Sequence, residues 1–347
     1  MSNFVEIRKE FKIMKKYNVG VIGATGAVGR EMVKILGEHN FPIGELRLLA
    51  SARSEGKKIS SAWGDITVHE LNDNSFEGLD IVLGAAENDI AIRFAPAIKA
   101  SGAVFVDNSS AFRMDPSVPL VVPEINPEDA LKHNGIIANP NCSTIITLVA
   151  INAINKLSKI NTLYASTYQA TSGAGIKGPQ EMFEQASRII NGEPIGEPAV
   201  FQHQIAFNLI PQIGGFDENG YSSEEMKLQN EGRKIMHLPD MKVSCTCVRV
   251  PVERSHAISA VVITDDVLDL DAVRSAIAEA PGCKLYDNGD AHEYPMPIVT
   301  SDQDIVYVGR IRKDLANDHG INLWCCGDQV RKGAATNAVQ IAELLCK

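Results

Sequence analysis

Residues Val19-Gly20-Val21-Ile22-Gly23-Ala24-Thr25-Gly26-Ala27-Val28-Gly29 read as a short buried strand running straight into a glycine-rich turn. The apolar positions of Gly26 to Leu36 then recur as they do on one face of a helix. The glycine spacing is G-x-x-G-x-x-G, with the physics of the usual dinucleotide fingerprint. Glycines allow a tight turn and let backbone N–H groups approach a pyrophosphate at a helix N-terminus. A plain strand-to-helix turn has the same look. The position directly after the first strand of a βαβ unit favours nucleotide binding, and Gly23, Ala24, Thr25, Gly26, Ala27, Val28 and Gly29 are the expected cofactor contacts.

The pattern outward from this stretch keeps alternating strand and helix. Leu46–Ala50, Ile81–Leu83 and Val104–Val106 read as strands, and Ile90–Lys99 as a helix between the last two. That rhythm predicts an α/β fold with a Rossmann-type, doubly wound parallel sheet. After the second strand the chain reads Ala50-Ser51-Ala52-Arg53-Ser54, with no acid before Glu55. A hydroxyl pocket with an arginine suits the 2′-phosphate of NADP better than the free ribose of NAD. Ser51, Arg53 and Ser54 are therefore expected at the cofactor, against the alternative of a solvated surface arginine.

The second half has a different texture. Thr162–Tyr168, Lys242–Val250 and Ala257–Thr264 alternate as half-buried strands, separated by the Pro-, Gly- and Asn-rich stretches Asn191–Pro198 and Pro211–Gly220. This predicts a second α+β domain with a mixed or antiparallel sheet. Gly333–Leu345 closes the chain as an apolar helix. The expected division is a nucleotide domain of 17–141 plus 328–347, a second domain of 142–327, and a charged extension of 1–16 in which Met14 is an alternative start.

Bulk composition narrows the function. Net charge is −10 and the pI about 5.3, which argues against nucleic acid and anionic membrane as partners. No apolar run reaches membrane-spanning length. The seven cysteines are odd in number and follow no secretory signal, so a reducing, cytoplasmic setting is expected. Cys245-Thr246-Cys247 and Cys325-Cys326 lack the spacing of a zinc site and read as core thiols, and no metal is expected.

Cys142 is different. In Gly135-Ile136-Ile137-Ala138-Asn139-Pro140-Asn141-Cys142-Ser143-Thr144 a strand end meets a helix start, with the thiol at the mouth of the helix. Unpaired N–H groups and the helix dipole there are expected to lower its pKa and favour the thiolate. Downstream come Gln169–Gly175, Glu224-Glu225-Met226-Lys227, and Arg249-Val250-Pro251-Val252-Glu253-Arg254-Ser255-His256. Taken singly, Glu224 and Lys227 read as a surface pair, and His256 as structural. Arg249 on an apolar strand needs a partner for its charge.

Together these segments resemble aspartate-β-semialdehyde dehydrogenase, particularly its bacterial form, from about Tyr17 to the C-terminus. The marks are Gly23–Gly29, Asn108-Ser109-Ser110-Ala111-Phe112-Arg113, Asn139–Thr144, Gln169–Gly175, Glu224–Lys227, Arg249–His256 and Gly327–Ala335. The resemblance implies NADP-dependent interconversion of L-4-aspartyl phosphate and L-aspartate-4-semialdehyde, in lysine, methionine and threonine biosynthesis. It implies Cys142 as nucleophile, His256 as acid/base and Gln169 as the residue that orients the covalent intermediate. It makes Arg249 the grip on the substrate carboxylate and Glu224 the partner of its ammonium. Arg113, Lys227 and Asn108 become the phosphate clamp. Ser172, Gly173 and Asn337 join the cofactor contacts, and the middle domain carries a homodimer interface. One departure stands out: where the family has a Ser/Gly-rich loop, this chain has Gly84-Ala85-Ala86-Glu87-Asn88-Asp89, with two acids. The nearest alternative, N-acetyl-γ-glutamyl-phosphate reductase, has an acylated substrate amine and less use for Glu224. A catalytically silent nucleotide-binding protein on the same fold would lack the acid/base or the clamp.

Overall fold

The computed structural model describes residues 15–346. Residues 1–14, which hold most of the charged extension and the alternative start at Met14, lie outside the described residues.

Seven strands form the first sheet: β1 (Tyr17–Ile22), β2 (Ile43–Ala50), β3 (Lys58–Ser61), β4 (Gly64–Glu70), β5 (Ile81–Gly84), β6 (Val104–Asp107) and β7 (Ile136–Ala138). Their order is β3-β4-β2-β1-β5-β6-β7, and every pairing is parallel except β3 with β4 at one edge. The expected Rossmann-type sheet is present, extended by the β3–β4 hairpin. β1 lies between β2 and β5, so the strand order reverses there. Open α/β sheets bind ligands at this switch point, beyond the C-terminal ends of the strands.

Helices α1 (Ala27–Glu38) and α2 (Asn88–Ala100) connect these strands. Met32, Val33, Ile35 and Leu36 of α1 are buried in one cluster with Val19 and Val21 of β1, which is why the glycine turn must hold its geometry. Gly23 has φ +72°, and a Cβ there would run into the Ala85 carbonyl.

Helix α3 (Cys142–Leu157) leads into the second sheet: β8 (Ile160–Gln169), β9 (Lys242–Arg249), β10 (His256–Thr264), β11 (Cys283–Leu285), β12 (Val306–Lys313) and β13 (Gly320–Gly327), in the order β11-β12-β13-β10-β8-β9. Two pairings, β8 with β9 and β11 with β12, are parallel and the rest antiparallel. This is the mixed sheet expected of a second α+β domain. Helices α4 (Lys177–Ile190), α5 (Ser223–Ile235), α6 (Leu270–Glu279) and the short α7 (Pro297–Thr300) belong to the same half. α3 is buried along nearly its whole length against one face of the sheet, with α5 and α6 beside it. The other face carries Tyr164, which is exposed, and half-buried Ser166, Tyr168, Ser259, Val261 and Trp324.

The C-terminal helix α8 (Thr336–Leu344) returns to the first sheet. Ala335, Ala338, Val339, Ile341 and Ala342 join the core formed by β1, β5, β6 and α1. A π-helical turn over Arg331–Ala335 precedes it. Arg331 in that turn reaches Glu31 of α1 at 2.9 Å and Asp304 at 2.7 Å. Among the described residues no helix is long and apolar enough to cross a membrane.

Candidate active site

Asn141 caps α3. Its Oδ1 accepts the backbone N–H groups of Ser143 and Thr144 at 3.0 and 3.2 Å, so Cys142 is the first residue of the helix. Two acids of α5 hold this cap from behind. Glu231 Oε2 accepts the Asn141 backbone N–H at 2.7 Å, and Glu224 Oε1 accepts Asn141 Nδ2 at 2.9 Å. Positions 224, 227 and 231 share one face of α5 because they are three and four residues apart.

Cys142 Sγ lies 3.4 Å from His256 Nε2. The other ring nitrogen, Nδ1, faces the Ala170 backbone N–H at 3.0 Å. A backbone N–H can only donate, so Nδ1 accepts and the neutral ring carries its proton on Nε2, toward the thiol. Burial and nearby Arg249 press the imidazole down to about 3. Burial, with Glu224 adding, pushes the Cys142 thiol up to about 12. This reverses the lowered pKa expected from the helix terminus: enclosure costs the thiolate its hydration, and that outweighs Lys227, Arg113 and Arg249 nearby. The pair rests as neutral thiol and neutral imidazole.

Gln169, at the end of β8, donates Nε2 to Glu224 Oε1 at 3.1 Å. Lys227 Nζ sits 2.9 Å from Glu224 Oε2. Burial alone would raise the Glu224 carboxyl, but Lys227, Gln169 and Asn141 hold it at about 2. Arg249, at the end of β9, is buried, gives one N–H to the Ala170 carbonyl at 2.8 Å, and lies over the Phe201 ring. Gly173 packs directly on this group: a Cβ there would stand 2.7 Å from an Arg249 nitrogen and 3.2 Å from His256 Cε1.

A recess of about 180 Å³ opens over the thiol, lined by Val28, Asn108, Arg113, Cys142, Ser172, Gly173 and Gly333 among others. Gly333 comes so close that a Cβ would lie 2.9 Å from Cys142 Cβ. Arg113 is anchored by the Asn139 carbonyl (3.0 Å), Glu231 (3.0 Å) and the Asn108 carbonyl (2.9 Å), using three of its five N–H groups. Lys227 opens instead onto the neighbouring recess between α5 and Phe216. Asn337, expected at the cofactor, is fully buried behind the wall, with its amide taken up by Lys332, Val121 and Asn139. It does not line the recess.

A second, larger recess of about 520 Å³ lies at the switch point of the first sheet. Gly23, Thr25, Gly26, Ser51, Ala52, Ala85, Ala86 and Glu87 line it. Ala27 and Val28 line the thiol recess, so the glycine loop is common to both. A dinucleotide spanning the two would place its pyrophosphate at the α1 N-terminus. Arg53 is exposed and Ser54 buried on a short turn beside this recess, and neither lines it. Glu70, Arg93 and Glu87, which the sequence reading did not select, do. Glu70 is found only through pairing, since it stands opposite Ala50 on the neighbouring strand.

A dinucleotide-binding sheet joined to a mixed-sheet domain, with a thiol and imidazole at their seam, is the build of a semialdehyde dehydrogenase. Two family models match in that order: "Semialdehyde dehydrogenase, NAD binding domain" over residues 18–133 and "Semialdehyde dehydrogenase, dimerisation domain" over 151–332. Aspartate-semialdehyde dehydrogenase of Aquifex aeolicus is 49% identical over 95% of this chain and 98% of its own. That of Bacillus subtilis is 46% identical over 95% and 97%. Among solved structures, aspartate semialdehyde dehydrogenase II of Vibrio cholerae complexed with ASA superposes with a TM-score of 0.93 at 43% identity, covering 95% of this chain and 98% of that one. The Candida albicans enzyme with NADP gives 0.74 at 25% identity, covering 95% and 98%. The chain belongs to the aspartate-semialdehyde dehydrogenase family.

Proposed function

We propose that this enzyme interconverts L-aspartate-4-semialdehyde and L-4-aspartyl phosphate with NADP and inorganic phosphate, through a thioester on Cys142, in lysine, methionine and threonine biosynthesis. The observation that carries this reading is the 3.4 Å contact of Cys142 Sγ with His256 Nε2 beneath a recess that Arg113 and the glycine loop also line.

In the oxidative direction the Cys142 thiol loses its proton to solvent as sulfur attacks the aldehyde carbon. His256 Nε2–H hydrogen-bonds first the thiolate and then the oxyanion that forms on the carbonyl oxygen. Bound NADP would supply the hydride acceptor for that carbon. Collapse of the oxyanion leaves the acyl group on sulfur, and a phosphate oxygen then displaces the thiolate, which takes up the phosphate's proton and is restored to the thiol. One proton is released per turnover. His256 thus acts from its protonated nitrogen, the half of the acid/base role that the Ala170 N–H permits.

Arg249 holds the substrate carboxylate with the N–H groups that Ala170 does not use. Glu224 has one acceptor position left beyond Lys227, Gln169 and Asn141, and offers it to the substrate ammonium. The two unspent N–H groups of Arg113, with Asn108, bind the phosphoryl group in the thiol recess, and Lys227 reaches it by turning in from the neighbouring recess. The 2′-phosphate of NADP is held by Ser51 and by Arg53 reaching over from its turn. Two copies pair through the open face of the second sheet around Tyr164 and Trp324, in keeping with the description of the matched second-domain model. Absorbance of the reduced cofactor tests the reading. Semialdehyde should reduce NADP in repeated turnover only when phosphate is added, with no more than one equivalent per site without it, and equal steady rates without phosphate would refute it.

A further inference from the structure

Lys332 is fully buried. Its Nζ meets both Glu124 oxygens at 2.7 Å, Gln340 Oε1 at 2.7 Å and Asn337 Oδ1 at 3.1 Å. An ammonium has only donors, so the Asn337 oxygen must face it and the Asn337 nitrogen must face away. That nitrogen donates to the Val121 carbonyl at 3.0 Å and to Asn139 Oδ1 at 2.7 Å. The Asn139 nitrogen then donates to the Ala334 carbonyl at 3.3 Å and to Asn108 Oδ1 at 2.6 Å. Three groups that cannot reverse their role, one ammonium and two backbone carbonyls, set the same direction along the chain of amides. Asn108 is its last member. With its oxygen spent on Asn139, its nitrogen has no hydrogen-bond partner among the described residues, and the residue lines the thiol recess.

We propose that Asn139, oriented through Asn337 by buried Lys332, is a positioning residue that keeps the Asn108 amide N–H groups turned into the thiol recess. On that side of the recess Asn108 and Arg113 then both present donors, which suits an anion. A phosphoryl group is such an anion, and this part rests on the function proposed above. The orientation itself does not. It also gives the first asparagine of Asn139-Pro140-Asn141-Cys142 a task distinct from the cap made by the second.

Asn139→Asp is isosteric and tests the idea. Its carboxylate still accepts from Asn337 but can no longer donate to Asn108, whose amide must turn over and present its oxygen to the recess. The KM for phosphate should rise by roughly tenfold, the scale of one charge-assisted hydrogen bond, with the KM for semialdehyde and for NADP changed less than about twofold. The new negative charge could repel phosphate without any turning of Asn108, so the substitution is repeated in an Asn108→Ala background. If Asn139 acts through Asn108, Asn139→Asp adds little to Asn108→Ala. Full additivity overturns the proposal. Neutron diffraction from the unaltered protein reads the orientation directly and does not depend on a variant folding. Deuterons on the Asn108 atom facing the recess uphold the positioning, and an oxygen there overturns it. If those deuterons are present but Asn108→Ala leaves the phosphate KM unchanged, the positioning stands and the phosphate assignment of Asn108 falls.

Discussion

Cys142 and His256 meet as a neutral pair: Sγ lies 3.4 Å from Nε2, and the far ring nitrogen is committed to accepting the Ala170 N–H. An imidazolium would have to turn an Nδ1–H against that same N–H. The arrangement therefore stabilises a thiolate only as it forms, during attack. It follows that alkylation of Cys142 by iodoacetamide in the free enzyme should keep accelerating as pH rises past 9, about where an ordinary thiol levels off. A rate already level between about pH 5 and 8 would mean a standing thiolate–imidazolium pair.

Gly173 leaves no space for a side chain between Arg249 and His256. Gly173→Ala must displace one or both. Turnover should fall by roughly tenfold or more, because the reacting carbon loses its alignment with the thiol. The melting temperature should move little, since the short turn over Thr171–Ala174 keeps its backbone bonds to residues 252 and 253. Unchanged turnover would show that the turn yields and that Arg249 and His256 are not held against it.

Glu224 links this site to acid stability. Its folded carboxyl sits at about 2, below the ordinary 4.5, so between those values the unfolded chain binds the extra proton. Its contribution is complete above about pH 4.5 and drains away as pH falls toward 2. The stability difference between the parent and Glu224→Gln, read from urea melts, should therefore shrink on acidification through that window. A difference independent of pH would mean that Glu224 is not held as a carboxylate.

The proposed preference for NADP makes two residues testable, Arg53 beside the larger recess and Glu70 in its lining. Removing Arg53 should raise the KM for NADP and leave that for NAD nearly unchanged. Glu70 lines the recess with Ser51, and a 2′-phosphate bound there would meet its negative charge, so Glu70→Gln should lower the KM for NADP by a few-fold, most clearly at low ionic strength. Steady-state kinetics with both cofactors would show an equal response to NADP and NAD if the 2′-phosphate were bound elsewhere.

The first sheet was legible because its strands are short apolar runs between glycine turns, and the glycine loop marks where the order reverses. The β3–β4 hairpin was not read: Lys58–Ser61 and Gly64–Glu70 are polar and mostly exposed, with little periodic signal. β12 and β13 were also passed over, although both are largely buried. The thiol and Arg249 stood out in their own segments, whereas the imidazole read as structural by itself and was named only through the resemblance. Their electrostatics could not be read, because enclosure depends on segments far apart in sequence. The helix-terminus argument for a low thiol pKa considered α3 alone, without the walls supplied by residues 172–175 and 329–334. Glu231 and Lys332 escaped for a similar reason. Each looks like a surface charge in its own segment, and only the fold sets Glu231 against Arg113 and Lys332 against Glu124. Asn337 was expected at the cofactor, and the fold buries it behind the wall of the thiol recess, hydrogen-bonded to Lys332, Val121 and Asn139.

The central claim is a covalent bond between Cys142 and the substrate, and mass spectrometry tests it most directly. The enzyme is mixed with L-aspartate-4-semialdehyde and NADP without phosphate, quenched in acid, and digested. The peptide carrying Cys142 should bear an acyl adduct, formed together with one reduced cofactor per site and discharged when phosphate is added before the quench. Cofactor reduction with no adduct on Cys142, or equal reduction by Cys142→Ala, would contradict it.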